Sequence, residues 1–488
     1  MKFDDYIYDL SSPGRTGIDL PDPDVPETPI PAELLRDELP LPELSLVQVA
    51  RHYLRLSQKN YAVDKGFYPL GSCTMKYNPK VNEWAARLPG FTAVHPLQDP
   101  ETVQGAMGLM YELQEMIGEI AGFDAVSLQP AAGAHGEFTG VLIMRAAQLA
   151  RGETQRHKIL VPDSAHGTNP ASTSMAGFTA VQIPSDKDGN VNIQALKAAL
   201  DDEVIGIMVT NPNTLGLFES QIAEVCDLVH EAGGLVYGDG ANLNAIMGIA
   251  RPGDLGIDVM HFNLHKTFST PHGGGGPGSG PVGVTAELAS FLPGPIVALN
   301  EEEGLYEWRH PEKSIGRIKS FYGNFGVMVK AYVYIKMHGA QGLREVSEIA
   351  VLNANYIQAR ILQMGDYPVP YGHRRCKHET VAQGKIPNAD GVRTLDIAKR
   401  LIDYDFHPPT IYFPLIVHEA LMIEPTETED KETIDAFLDA LDKIAEEARK
   451  DPDLLHGAPY NAPTRRLDEV RAARQPVLIR LPDAKVAT

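Results

Sequence analysis

Between Lys158 and Lys266 the chain repeats one pattern: a short apolar run, a polar or glycine-bearing turn, then an amphipathic stretch. The runs are KILVPDSAH, FTAVQIP, VIGIMVTNPNT, GLVYGDGAN and VMHFNLHK, with helices expected between them from Ile193 to Leu200 and from Ile222 to Ala232. Strands this apolar need a sheet covered on both sides, so the rhythm predicts an α/β fold with a mainly parallel sheet. Such sheets collect their chemistry beyond the carboxyl ends of the strands. His166, Asn211 with Asn213, Asp239 and Lys266 all fall at such ends. Singly, each has an ordinary role open to it, as a loop histidine, an asparagine turn, a helix cap or a solvated lysine. Together they mark one edge of one sheet.

Lys266 follows a strand expected from Val259 to Leu264 and precedes a glycine-rich turn, Gly273 to Gly276 with Gly278 and Gly280. Glycines there let the backbone approach a flat ligand that any Cβ would obstruct. A lysine so placed is a candidate Schiff-base former. Its amine, with an ordinary pKa of about 10.4, must then lose its proton through desolvation or a cationic neighbour, and a cofactor cation and the adjacent His265 are the candidates.

Earlier, AVSLQPAAGAHGEFTGVLIMRAAQLA reads as strand, small-residue turn and helix, with Phe138, Val141, Leu142, Ala146 and Leu149 as the apolar stripe. The first N–H groups of a helix lack intrahelical partners and carry the positive end of its dipole. Ala132 to Gly136 is therefore a candidate phosphate cradle that needs no basic side chain. No GKS or GKT follows, which disfavours a nucleoside triphosphate.

Charge excludes other partners. Lys and Arg total 43 against 64 Asp and Glu, a formal net charge of −21 that repels phosphate backbones, so nucleic acid is not expected. No apolar run approaches the roughly 20 residues of a membrane span. The opening MKFDDYIYDL lacks the basic and apolar regions of a secretory leader, and the three cysteines are widely spaced without a CxxC pair. A cytoplasmic protein without structural zinc is expected. Cys73 has no His or Asp pattern around it and reads as an inert thiol. His261 with His265, four apart on a strand-like run, do not converge as they would on a helix, and no metal is expected there or at His265 with His272.

The 488 residues suffice for a large core and a smaller one. Residues 1–60 are expected to form an arm, proline-broken and acidic to about residue 45, then an amphipathic helix from Ser45, its N-cap, to Leu56. Residues 61–326 would be the large ligand-binding domain. Residues 327–488 would be a small lobe and tail, with helices from Val327 to Met337, around Val346 to Met364 and about Ile434 to Arg449, and strands near Val381 and Thr410 to Phe413. Arg465, Arg466, Arg471 and Arg474 in the tail read as a solvated face.

A flat, cationic, phosphate-bearing aldehyde would engage all of the marked groups. Lys266 would form the imine, Asp239 would pair with the pyridinium nitrogen, His166 would stack on the ring and the Ala134 turn would bind the phosphate. The order His166, Asp239, Lys266, then glycines, resembles the fold-type I pyridoxal-phosphate enzymes, whose large domain is aspartate aminotransferase-like. The match narrows further. YPLGSCTMKYNP, QPAAGAHGE, DSAHGTNPAS, VTNPNTLG, GDGANLNA, HFNLHKTFSTPHGGGGPG and HPPTIYFP together resemble the P-protein of the glycine cleavage system, from about residue 45 to 450. The chain is similar to that family's cofactor-bearing C-terminal half standing alone, the second subunit of its split form.

That resemblance implies pyridoxal 5′-phosphate, held by Lys266, Asp239, His166, Gly133, Ala134, His135, Asn211, Asn242, His265 and Thr270, with Lys266, His166 and Asp239 catalytic. It implies glycine as substrate, carbon dioxide as product and the lipoyl arm of the H-protein as acceptor of the aminomethyl group. A subunit 1 carrying the other half, in an α2β2 heterotetramer, is implied too. Another amino-acid decarboxylase or an aminotransferase of the same fold type would share Lys266, Asp239 and His166, and is the alternative.

Overall fold

Seven short strands carry the structure, a computed structural model that describes residues 6–37, 39, 41–272 and 278–478. The glycine run Gly273 to Gly276 lies outside the described residues. The strands are β1 (Ala125–Ser127), β2 (Lys158–Pro162), β3 (Thr179–Ile183), β4 (Val204–Thr210), β5 (Leu235–Gly240), β6 (Val259–Phe262) and β7 (Val282–Val284), in the order β1-β7-β6-β5-β4-β2-β3. Strands β2 to β6 run parallel, while β7 is antiparallel to both β1 and β6. Every residue of β4, β5 and β6 is buried, as strands covered on both faces must be. The strand order reverses between β2 and β4, which opens a crevice beyond their carboxyl ends.

The Gly133–Ala150 helix lies unusually close to this sheet. A Cβ on Gly140 would stand 2.3 Å from the Tyr237 ring, and one on Gly136 would stand 2.7 Å from His261. Its buried residues include Gly136, Glu137, Gly140, Met144, Ala147 and Gln148, whereas Leu149 is 50% exposed. The expected stripe was therefore misplaced at Leu149: close packing selects small side chains, and large apolar ones do not mark the closest face.

A hairpin of β8 (Ile296–Asn300) and β9 (Leu305–Arg309) follows the large sheet. A second sheet contains β10 (Thr380–Gln383), β11 (Thr410–Ile411) and β12 (Ala420–Ile423), antiparallel in the order β10-β12-β11. The Lys431–Lys450 helix covers it with Ile434, Phe437, Leu438, Leu441 and Ile444, and starts where Asp430 accepts from the Thr433 N–H at 2.8 Å. The two helices expected after residue 326 form one stretch, Phe325–Met364, broken at Gly339 by a φ of 60°. Only glycine takes that conformation freely.

Residues 63–458, with both sheets, form one compact unit; residues 1–62 and 459–488 form another. In the latter, Ser45 caps the Leu46–Gln58 helix in a capping box with Gln48, and Glu43 ties down the arm by accepting from the Gly14 N–H at 2.6 Å. Among the described residues no helix is long and apolar enough to cross a membrane.

Candidate functional site

A cavity of about 170 Å³ opens beyond the carboxyl ends of β4, β5 and β6, where the topology provides a crevice. Gly133, Ala134, His166, Asp239, Asn242, His265 and Lys266 all line it. Lys266 is half-buried on a one-turn helix, Leu264–Thr267, directly after β6, and its Nζ donates to the Ser72 carbonyl at 2.9 Å. Asp239 is the penultimate residue of β5 and only 3% exposed. Its Oδ1 accepts from the Ala241 N–H at 3.0 Å and faces His261 Nε2 at 3.5 Å.

The carboxylate stands in a network that the sequence did not reveal. His261, pushed down to about 4 by burial, is neutral, and its Nδ1 lies 2.5 Å from the Tyr237 hydroxyl. Glu137 accepts from Thr168 Oγ1 at 2.8 Å and Ser172 Oγ at 3.2 Å; burial, then the charge of Asp239, raise it to about 7. Asn169, its amide oriented by these neighbours, donates to Asp239 Oδ2 at 3.1 Å and to Glu137 Oε2 at 3.2 Å. A glutamate one turn past the small-residue cradle, on a helix with an otherwise small or apolar buried face, was the readable sign of Glu137. Nothing local pointed to Asn169 or Ser72.

His166 stands at the rim, its Nδ1 3.1 Å from Thr168 Oγ1 and its ring 5.2 Å from that of Phe413. His265 corrects an expectation. Burial, reinforced by His272 and Lys266, pushes its pKa to about 3, so it is neutral and cannot be the cation that helps Lys266 lose its proton. Three expected contacts do not line the cavity. His135 turns its Nδ1 to accept from the Ala131 N–H at 3.1 Å, stapling the turn before the helix. Asn211 spends its Oδ1 on the Glu219 N–H at 3.0 Å. Thr270 is fully buried. Asn213 is a turn residue, its Oδ1 accepting from the N–H groups of Leu215 and Leu217.

The cavity's unsatisfied atoms describe what would fit it. Asn242 Oδ1 and Thr210 Oγ1 are buried on its wall without a hydrogen-bond partner, which leaves both free to meet a ligand. The Gly133–Ala150 helix points its first turn at the same space, and a Cβ on Gly133 would stand 2.4 Å from Asn263 Oδ1. A buried carboxylate, a lysine amine and an anion-binding helix end thus converge on one small volume. They suit a ligand carrying a cationic nitrogen, a carbonyl carbon and an anionic group.

The family model of the glycine cleavage system P-protein matches residues 24–309, and that of the glycine dehydrogenase C-terminal domain matches residues 346–455. The chain belongs to the glycine cleavage system P-protein family. A probable glycine dehydrogenase (decarboxylating) subunit 2 of Caldanaerobacter subterraneus subsp. tengcongensis is 61% identical over 484 residues, 98% of this chain and 99% of that one. A protein of the same description from Thermotoga petrophila is 58% identical over 473 residues, 96% of this chain and 98% of that one. Among solved structures, an inhibitor-bound glycine decarboxylase (P-protein) superposes with a TM-score of 0.71 at 23% identity, covering 85% of this chain and 93% of that one. A sphingosine-1-phosphate lyase of Burkholderia pseudomallei superposes at 0.61 and 14%, covering 89% and 95%. The P-protein fold here is accordingly that of the fold-type I pyridoxal-phosphate enzymes.

Proposed function

We propose that this chain releases the carboxyl group of glycine as carbon dioxide and passes the aminomethyl group to the lipoyl arm of an H-protein, as the cofactor-bearing subunit of a two-chain glycine dehydrogenase. Pyridoxal 5′-phosphate is the cofactor in this reading, and glycine and a homologous subunit 1 are its substrate and partner. One observation carries it: Lys266, Asp239 and the open end of the Gly133–Ala150 helix line a single cavity. When bound, the cofactor supplies the electron sink for the pair released as the Cα–carboxyl bond breaks.

The chain's own residues do the rest. Lys266 is the point of covalent attachment. Asp239 holds a desolvated negative charge for the ring nitrogen, and the Ala241 N–H and the Asn169 amide keep that carboxylate aimed. Neutral His261 stands behind the carboxylate, its Nε2 3.5 Å from Asp239 Oδ1, and supplies no competing proton. The first N–H groups after Ala132 receive the phosphate. His166 offers the ring a flat wall at the rim. The electron pair left on the aminomethyl carbon would form a C–S bond to one lipoyl sulfur as the S–S bond breaks, and the other lipoyl sulfur, released as a thiolate, would take up a proton.

Borohydride reduction followed by peptide mapping should place the reduced cofactor on Lys266. Glycine-dependent exchange of labelled bicarbonate should require a lipoylated carrier. A label on another lysine overturns the attachment, and full activity from the chain alone without any lipoyl protein favours a simple decarboxylase.

A further inference from the structure

Ser72 touches the site through its backbone, and the backbone around it is held in an unusual state. Ser72 has a φ of 64° and Thr74 a φ of 47°, left-handed conformations that non-glycine residues keep only when their surroundings impose them. Two carboxylates impose them here. Glu379 Oε2 accepts from the Ser72 N–H at 2.7 Å. Glu424 Oε2 accepts from the Thr74 N–H at 2.9 Å, and its Oε1 from the Thr74 hydroxyl at 2.5 Å. Both glutamates are wholly buried.

Strand register explains why they act as a pair. β10 and β12 pair Thr380 with Ile423, so Glu379, one residue before, and Glu424, one residue after, stand opposite each other at one end of the small sheet. The loop's flanks are fixed as well. Thr410 Oγ1 donates to the Gly71 carbonyl at 2.8 Å, and buried Lys76 donates to Glu427 at 2.8 Å and Asn244 at 2.7 Å.

Charge gives the arrangement a direction. Among the described residues no Arg or Lys forms an ion pair with Glu379 or Glu424. His378, 3.8 Å from Glu424 and 4.0 Å from Glu379, is kept neutral by burial, its pKa near 3. Burial raises both carboxyls, Glu424 to about 7 and Glu379 further through its neighbour Glu424, and the charge of Lys266 pulls both the other way. Its Nζ already rests on the carbonyl between their two grips, that of Ser72.

We propose that Glu379 and Glu424 are positioning residues for Lys266: they clasp the Ser72–Thr74 loop so that the Ser72 carbonyl receives the lysine amine whenever it is not covalently engaged. Glycine must displace this lysine and the lysine must return in each turnover. An acceptor fixed at the cavity wall spares the amine a search through its rotamers on the way back. The inference rests on Lys266 being the attachment point.

The test uses the full chain with its partner subunit, stripped of cofactor, and pyridoxal 5′-phosphate as the probe. The rate of covalent attachment is followed by absorbance after mixing. Noncovalent affinity is measured by equilibrium dialysis with each substitution placed in a Lys266→Ala background. Glu379→Gln and Glu424→Gln each replace a carboxyl grip on the loop by a weaker amide and should slow attachment by about tenfold, while noncovalent affinity changes by less than about twofold. Thr74→Val removes the hydroxyl from the loop side of the same contact and should slow attachment without touching either carboxylate, so the proposal stays testable if a glutamine variant fails to fold. An unchanged attachment rate in any folded variant overturns the clasp, as does a parallel loss of noncovalent affinity, which would mark a collapse of the cavity. Borohydride trapping separates the two levels of the argument: cofactor on another lysine overturns the attachment point, whereas trapping on Lys266 at an unslowed rate overturns only the clasp.

Discussion

Asp239 and Glu137 are two carboxyls in one buried network with opposite assignments, and substitutions should separate them. Asp239→Asn keeps size but removes the charge that faces the cofactor nitrogen, so glycine-dependent bicarbonate exchange should fall by about 10²- to 10³-fold, the scale of losing one preorganised electrostatic contact. Near-normal exchange would take Asp239 out of that role. Glu137 gives a stability signature instead. Burial and then Asp239 raise it from an ordinary 4.5 to about 7, so the folded chain holds its proton more tightly than the unfolded chain does. Its contribution to stability is therefore complete below about pH 4.5 and is lost as pH rises through about 7. Glu137→Gln copies the protonated form and does not titrate. In denaturant titrations of the cofactor-free chain, its stability relative to the parent should rise by on the order of 1–3 kcal/mol between about pH 5 and pH 8. A pH-independent difference would show that Glu137 titrates normally.

At the scale of elements, what was legible followed from period and composition. The β/α alternation from Lys158 to Lys266 was readable because fully buried parallel strands are continuous apolar runs. The Ser45 cap was readable because capping chemistry is local. β12 was missed, since four residues, ALMI, carry too little periodicity, and with it went Glu424. The clasp was invisible for a different reason: Ser72, Glu379 and Glu424 are brought together by the fold across more than 300 residues of sequence. The place of His265 beside Lys266 was legible in the sequence, whereas its burial, which keeps it neutral, was not. Close packing of the Gly133–Ala150 helix can be tested by one substitution at two glycines. Gly140→Ala drives a Cβ to 2.3 Å from the Tyr237 ring, and overpacking of about 1–3 kcal/mol should outweigh the helix-propensity gain of up to about 1 kcal/mol. Gly105→Ala, in the Gln104–Ala121 helix with nothing within 4 Å, should stabilise by up to about 1 kcal/mol. Thermal melts showing the same sign for both would refute the packing argument.

The whole chain presents apolar surface where a free monomer would have little use for it. Ile18, Leu20, Leu34, Leu39, Leu41 and Leu46 are each exposed by more than 60%, as are Leu467, Val477 and Leu478 near the other end. All belong to the unit of residues 1–62 and 459–488. Single exposed apolar residues need no explanation, but a run of them along a proline-rich arm does. In the two-chain reading the explanation is the partner: surfaces internal to a permanent assembly are larger and more apolar than the rest of a protein's exterior. The buried cores of both sheets lie in residues 63–458, apart from this arm. A chain lacking residues 1–44 should therefore retain covalent attachment of pyridoxal 5′-phosphate to Lys266 but lose co-purification with a co-expressed subunit 1 and, with it, glycine-dependent bicarbonate exchange. Size-exclusion chromatography with light scattering reads the assembly, and borohydride mapping reads the site. A truncated chain that still assembles in the same ratio with its partner would mean that the arm's apolar residues are covered by something else, and that the interface is built on the larger unit.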